Sequence, residues 1–513
     1  MLIALELTNF KGVATRQRVE FAPLTLLFGA NSAGKSTILQ ALAYLRELLA
    51  HGDADVSRTQ LGGDVIELGG FARLVHRHDT NLPMILRAEF LTPGSLNRTE
   101  RSLDGYLFQD LDDDIDRAWI EVRLQDRTTT HHAGPLVSRV DFGIGGSREP
   151  LLWLEVGNSL RDGEPLSVSV NIEHSALLAI HLDVESAWNV GASELLEVEL
   201  DGVEGIRRVM VFAVSRTRLS ALPPLDAPLR VVGVDDGLGD GAPDPDFISY
   251  VRSATEELRA FLELIILGTA SQLASALERA LYVGPLRAVP PRGFLFERAG
   301  RMTHWADGLA AWDLLLADRL DLVERTNVWL VRLGAGCQIK IQELIDKSAS
   351  AEDLSREHVD STVRRLFLDT GQGTPVLPSE VGAGISQIVP IVVAAIARER
   401  VSMVMLEQPE IHVHPALQVE LGDLLVAAAG DRQLIVETHS EHLILRLLRR
   451  IRETTEAELP SHATPFTPEQ LSVVYISAQP SGVSVKRLRI DTTGEFTDRW
   501  PRGFFEERAE ELF

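Results

Sequence analysis

The chain is poor in cysteine, in basic residues and in long apolar runs. Among its 513 residues one is cysteine, Cys337. A lone thiol forms no internal disulfide and no cysteine-rich zinc site, and such usage suits a reducing compartment. Lys and Arg number 50 against 74 Asp and Glu, a formal net charge of −24. That balance excludes a uniformly basic nucleic-acid binder but leaves room for local basic patches. The opening MLIALELTNFKG reads as an amphipathic strand, without the basic flank and long apolar stretch of a signal peptide. No run approaches about 18 uncharged apolar residues, the length that crosses a bilayer. A cytoplasmic protein without a membrane segment is therefore expected. Internal repeats and sustained heptads are also missing, which excludes long coiled-coil arms.

The length allows about two to four domains, and 45% apolar residues are enough for a large core. Residues 1–50 read strand, strand, loop, helix: Leu2 to Leu7 alternates, Leu24 to Phe28 is an apolar run, and Ser36 to Leu49 has helical periodicity. Between 85 and 215 the segments are short, β-rich and bounded by turn residues, among them Ile85–Leu91, Ala118–Leu124, Leu166–Ile172, Leu195–Leu200 and Arg208–Val214. A loop rich in Gly, Pro and Asp, 235–246, follows. Residues 247–280 and 305–332 read as helices, and from 376 onward strands and helices alternate as in an α/β core. The expected division is 1–84, an N-terminal part carrying a phosphate loop; 85–246, a β-rich insertion; 247–375, a helical subdomain and connection; 376–455, the second part of the α/β core; and 456–513, a small C-terminal domain.

Residues 29–37 read Gly-Ala-Asn-Ser-Ala-Gly-Lys-Ser-Thr, fitting G-x-x-x-x-G-K-[ST] between an apolar strand and a helix. Gly29 and Gly34 let the backbone curl, so that N–H groups of Asn31, Ser32, Ala33 and their neighbours face phosphate oxygens. The helix start adds its positive dipole end. Lys35 reaches the β- and γ-phosphates, Ser36 ligates Mg²⁺, and Thr37 completes the motif. Such a loop also needs a carboxylate from a neighbouring strand to hold the metal. The apolar run Met403–Leu406 supplies one in Glu407, followed by Gln408, Pro409 and Glu410. A second apolar strand ends in Glu437-Thr438-His439-Ser440. Upstream, Val381-Gly382-Ala383-Gly384-Ile385-Ser386-Gln387 precedes an apolar helix read at 388–397. A Gly-rich turn before a helix is an anion site. The chain's own phosphate loop is already supplied, so this turn best suits a second nucleotide.

This order of motifs resembles the ABC ATPase heads of the SMC/RecF/OLD group, and in particular the stand-alone bacterial AAA-type ATPases related to OLD heads. Gly382–Pro390, Glu407–Pro415 and Glu437–His442 stand where those proteins carry GxGxSQ-x-x-P, EQPE-x-H-x-HP and ETHSEH. Asn9-Phe10-Lys11, Tyr282–Arg287 and the closing Trp500–Phe505 fit as well. The resemblance covers 1–80 and 280–513 and leaves the β-rich middle unplaced. It implies an α/β fold, an ABC-type P-loop ATPase head of mixed sheet and RecA-like core with a β-rich and helical insertion. It further implies a homodimer or higher homo-oligomer trapping two ATP molecules with Mg²⁺. Gly382, Gly384 and Ser386 would meet the partner's γ-phosphate, His439 the γ-phosphate in cis, and Lys11 the adenine or α-phosphate; Gln60 is the nearest candidate for a Q-loop residue. The group usually places Asp then Glu after this strand, and here Glu407 and Gln408 stand there. An amide cannot accept a proton from water. Hydrolysis is therefore expected to be slow, unless Glu410 is the base or Gln408 positions water well enough.

Other clusters have plainer readings beside sharper ones. His412 and His414 with Glu410 suggest a metal, but i, i+2 spacing beside proline favours loop contact residues. Arg446, Arg449, Arg450 and Arg452 form either a charge-balanced helix face or a DNA-phosphate surface, and Lys486, Arg487 and Arg489 pose the same choice. Asp112, Asp113, Asp114 and Asp116 could bind a divalent ion but better suit a solvated loop, and Cys337 suits a core position. Arg287 touches nucleotide or pairs with a carboxylate. The stretch beyond His439 is too short for a Toprim nuclease domain, so a separately encoded effector is expected. The readings that follow are an ATP-driven switch in DNA-related or anti-phage processes, a non-hydrolysing ATP-locked scaffold, or a transporter's nucleotide-binding subunit.

Overall fold

The computed structural model describes residues 1–55, 65–92, 115–128, 133–158, 163–179, 188, 192–201, 204–216, 218–232, 245–292, 305–317, 321–344, 363–371, 373–397 and 401–500. Gln60, Asp112–Asp114 and all of the closing phrase after Trp500 lie outside them. The chain divides into two compact units: Met1–Glu20, Gln40–Glu278 and Ala478–Ser484 in the first, and Phe21–Leu39, Arg279–Ser477 and Val485–Phe513 in the second.

The first unit is built on an antiparallel sheet. Numbered along the chain, its strands are β1 (Leu2–Thr8), β2 (Gln17–Glu20), β4 (Met84–Leu91), β5 (Arg117–Thr128), β6 (Ala133–Ile144), β7 (Leu152–Glu155), β8 (Leu166–Asn171), β9 (Glu194–Glu199) and β10 (Ile206–Val214), in the order β2-β1-β4-β5-β6-β7-β8-β10-β9. The β-rich middle of the sequence thus continues a sheet begun by the first two strands of the chain. Charged side chains help to set its register. Arg18, Glu6, Arg87 and Glu121 stand opposite one another across β2, β1, β4 and β5. Opposite charges facing across strands stabilise the pairing, and the Arg87 guanidinium also lies 3.5 Å from the centre of the Trp119 ring. The helical stretch of this unit, Glu256–Glu278, is the one described span long and apolar enough to cross a bilayer by length and composition. Its Phe261, Leu262, Ile265, Ile266 and Leu273 are buried within the chain, as a core helix requires.

The second unit holds a six-stranded sheet. Its strands are β3 (Leu24–Phe28), β11 (Ala280–Val283), β14 (Met403–Glu407), β15 (Gln433–Glu437), β16 (Leu471–Gln479) and β17 (Gly482–Leu488), in the order β11-β14-β15-β3-β16-β17. Neighbours from β11 to β16 run parallel. β3, β11, β14 and β15 are buried at every position, the continuous apolar run that a parallel sheet covered on both faces demands. The helices Ala383–Ile396, Pro415–Ala428 and Glu441–Thr455 supply apolar cover. Leu26, Phe28, Val283, Trp312, Val392, Leu406, Val436 and Leu447 belong to one buried cluster. A separate hairpin pairs β12 (Gln338–Leu344) with β13 (Val363–Asp369). The fold is α/β with mixed sheets, as the sequence predicts.

Candidate functional site

Ligands of open parallel sheets bind beyond the carboxyl ends of the strands. Four strands of the second unit bring polar groups to that end. β3 runs into the loop Gly29–Gly34, and the helix Lys35–His51 starts directly after it. The loop conformation demands its residue types. Gly29 has φ +154°, and a Cβ there would stand 2.1 Å from the Ile476 carbonyl oxygen. Gly34 has φ +99° and Ser32 φ 59°, the left-handed region that glycine enters freely. Ala33 and Thr37 are buried, while Asn31 and Ser32 are exposed.

Lys35 is only 4% exposed. Its Nζ donates to the carbonyls of Gly29 (3.1 Å) and Ala30 (2.9 Å) and lies 3.9 Å from Glu437 Oε1. Burial pulls the Lys35 ammonium below its usual range, against the opposing pull of Glu437, Glu410 and Glu407. Ser36 Oγ donates to Glu437 Oε2 at 2.7 Å. Glu437 is the residue that motif reading passes over, because in the sequence it stands only as the first letter of the phrase around His439. The strand order explains its place. β15, not β14, lies next to β3, and Glu437 stands in register with Glu407. Burial first, and then Glu437, push the Glu407 carboxyl up. Two carboxylates and a serine hydroxyl are hard oxygen donors of the kind Mg²⁺ takes beside phosphate oxygens, so the residues fit that ion. Among the described residues, no group of three or more His, Cys, Asp or Glu could hold a metal ion.

The turn after β14 is tightly held. Gln408 has φ 45°, unusual for a residue with a side chain, and its N–H donates to the Glu437 carbonyl at 2.7 Å. Glu410 reaches the other strand end, accepting from Thr438 Oγ1 (2.9 Å) and the His439 N–H (2.6 Å). Burial raises the Glu410 carboxyl despite these bonds. The His439 imidazole is lowered by burial and then by Lys35, so it is neutral near pH 7. His414 Nδ1 accepts from the Ala416 N–H and caps the next helix.

The Gly-rich segment differs from the expected turn. The helix begins at Ala383, with Gly382 as its N-cap, so Gly384 and Ser386 lie within its first turn. Ser386 is fully buried and its hydroxyl lies 3.4 Å from the Pro378 carbonyl. Gly382 is exposed, and a Cβ there would meet nothing within 4 Å. At Gly384 a Cβ would come within 3.0 Å of the His412 carbonyl. The exposed face of this helix start is therefore Gly382 and the backbone. Lys11 belongs to the first unit, where its N–H donates to the Leu74 carbonyl at 2.6 Å and burial lowers its ammonium.

The arginine stripe makes pairs within the chain, which fits the charge-balanced one of its two readings. Arg446 and Arg450 both bind Asp423, Arg450 and Arg449 bind Glu453, and Arg452 donates to the Thr493 carbonyl. Arg450 is 1% exposed. Arg489 is likewise bonded to Asp498.

Two family descriptions match parts of the chain. "AAA domain, putative AbiEii toxin, Type IV TA system" matches residues 328–446, and "AAA domain" matches residues 4–46. The first contains the Gly382 helix, Glu407 and His439; the second contains the phosphate loop; neither matches the β-rich middle. Among solved structures the chain is similar to an Smc head bound to the C-winged helix domain of ScpA, at 10% identity and TM-score 0.39, over 96% of this chain and 98% of that one. It is also similar to the Smc head domain from Pyrococcus furiosus with an extended coiled coil, bound to the C-terminal domain of ScpA, at 10% identity and TM-score 0.39, over 100% and 98%. A third likeness is the SMC head domain from Thermotoga maritima, at 9% identity and TM-score 0.38, over 95% and 99%. No curated protein matches the sequence. The phosphate loop at 29–37 and the two matches over residues 4–46 and 328–446 make these parts of the chain similar to AAA-type P-loop ATPase domains.

Proposed function

We propose that this chain is an ATP-binding switch that closes as a dimer around two Mg²⁺–ATP and hydrolyses them slowly. One observation carries the reading. Lys35 and Ser36 of the phosphate loop meet Glu437 directly, and Glu437 stands in register with Glu407. In that role Lys35 turns from the loop carbonyls to the β- and γ-phosphates, while Ser36, Glu407 and Glu437 hold the metal. Glu410 fixes the backbone that presents His439. Gln408 occupies the position of a general base but has no proton-accepting group, so turnover is slow unless a partner assists. The exposed helix start at Gly382 suits the triphosphate held by a second copy, since unpaired N–H groups at a helix N-terminus attract anions. The reading extends to a part in DNA-related or anti-phage processes with a separately encoded effector; the matched family description itself names a toxin of a type IV TA system. A cytoplasmic location fits this reading.

The test is sedimentation with and without Mg²⁺–ATP. Wild type should shift from a smaller to a larger species when nucleotide is added. Gly382→Arg meets open space in the single chain, so it should fold and bind ATP yet fail to shift. If wild type and Gly382→Arg assemble identically in both conditions, the dimer switch is wrong.

A further inference from the structure

The phrase Tyr282–Arg287, which the phosphate-loop chemistry leaves unused, lies at the carboxyl end of β11. Tyr282 Oη donates to Glu407 Oε1 at 2.8 Å. Beyond it, Arg287 is held by one side chain on both sides of its backbone. The Arg287 N–H donates to Gln387 Oε1 at 3.3 Å, and the Arg287 carbonyl accepts from Gln387 Nε2 at 2.6 Å. Gln387 sits near the start of the helix Ala383–Ile396, just after Ser386. The Arg287 guanidinium points to β14 and donates through Nη2 to the carbonyls of Glu407 (2.6 Å) and Gln408 (3.2 Å).

The connection is stiff. Gly284 and Ala288 donate to the carbonyls of Ala306 and Asp307 at 2.9 and 2.7 Å. Gly308 packs against the same helix, since a Cβ there would stand 2.9 Å from Pro390 Cγ. Arg287 is 4% exposed. Burial lowers its guanidinium to about 10, with Glu410 and Glu407 opposing, so it stays charged at neutral pH. Its Nε and Nη1 find no hydrogen-bond partner among the described residues. A buried cation with idle donors is a poor stabilising device, because an apolar side chain would fill the space at lower cost. It holds in place a Gln408 whose left-handed backbone must be over-determined by its surroundings.

We propose that Arg287 is a positioning residue that couples the start of the Gly382 helix to the Glu407–Gln408 turn, so that contact of that helix with a nucleotide on a second copy is passed through Gln387 to the groups that set the metal and the water. The inference rests on the switch reading above. Gln387→Leu removes both bonds to the Arg287 backbone. Arg287→Lys keeps the charge, but its ammonium lacks the planar fork that serves both carbonyls.

Hydrogen exchange on the nucleotide-free chain is the first measurement. Gln387→Leu should speed exchange of the Ile411 and Val413 amides by about 2- to 30-fold, the range of coupling through a packed network, while the β15 amides stay protected. Steady-state kinetics are the second. Each variant should lose about 10- to 100-fold in kcat, as when an outer partner of a metal ligand is removed, with KM unchanged. The double variant should be no worse than the poorer single one. Wild-type exchange at Ile411 and Val413 in Gln387→Leu, or a raised KM with unchanged kcat, would overturn the coupling. If wild type itself neither binds nor hydrolyses ATP, the switch reading fails, and the exchange result still decides whether Gln387 holds the turn. Should Arg287→Lys not fold, Gln387→Leu carries both measurements alone.

Discussion

Lys35 and Arg450 are both almost wholly buried cations near carboxylates, three around Lys35 and two around Arg450, yet their surroundings behave in opposite ways. Around Arg450 every charge is matched. The Asp423 carboxyl falls below its ordinary range, because bonds from Arg450 and Arg446 outweigh the effect of burial. Glu453 falls likewise through Arg449 and Arg450, and Arg450 is pushed up, chiefly by Asp423. Around Lys35 the shifts reverse: the ammonium is lowered and the Glu407 carboxyl is raised, each chiefly by burial. One cluster is electrostatically complete within the chain. The other is short of positive charge, which on the proposed reading suits a divalent cation there. Shifts that disfavour the charged forms fit a site that takes a ligand when they sit together at the mouth of a phosphate loop, and shifts that favour them fit a structural ion pair.

Breaking the two clusters should therefore give opposite phenotypes. The largest effect is expected at the incomplete one. Lys35→Ala removes the ammonium that offsets the β- and γ-phosphates, and titration with a fluorescent ATP analogue should show no measurable binding. Thermal stability should change little, since Lys35 is spent mostly on loop carbonyls. Retained binding would remove the phosphate-loop assignment.

A second change sharpens the comparison inside the site. Gln408→Glu supplies the missing proton acceptor, and a general base contributes about 10²–10⁴-fold. Phosphate release should accelerate within that range, and the ATP-bound dimer should become shorter-lived. Fast wild-type turnover that Gln408→Glu leaves unchanged would assign the base elsewhere. Glu410 is then the nearest candidate, although both of its oxygens already accept bonds from Thr438 and His439.

Much of this was legible in the sequence, for physical reasons that also explain the rest. β3, β14 and β15 show as apolar runs because a parallel sheet buries both faces, and Gly29 and Gly34 show because the loop needs positive φ. Glu407 is visible because a strand ends on it. Glu437 is equally a strand end, but its importance depends on β15 lying next to β3, and strand order is not written in local pattern. Ser386 reads as a turn residue because two glycines precede it, whereas the helix has already begun at Ala383 and turns its hydroxyl inward. The arginines 446, 449, 450 and 452 show a basic stripe but not its partners, since Asp423 lies on another helix. Tyr282 and Arg287 belong to a recognisable phrase whose purpose depends on contacts with Gln387 and β14, more than a hundred residues away in the case of Glu407.

The smallest expected effects lie in the complete cluster, where two neighbouring arginines separate buried from exposed pairing. Arg450→Ala leaves Asp423 with Arg446 as its partner, so the cost should approach but not reach the about 3–5 kcal/mol of a fully broken buried pair. Arg449→Ala removes a side chain that is 62% exposed and, among the described residues, bonded to Glu453 alone, which should cost less than about 1 kcal/mol. Urea unfolding should resolve the two, with ATP affinity unchanged in both. The pH dependence follows from the sign at Asp423. Its folded-state value is depressed, so its contribution is present above the ordinary carboxylate range and is lost as pH falls through the folded value. The gap between wild type and Arg450→Ala should therefore be full near neutrality and narrow in acid. A gap that held constant down to the acid limit would mean that Arg450 stabilises by packing its alkyl stem rather than by its charge, and the contrast with Lys35 would then be one of shape.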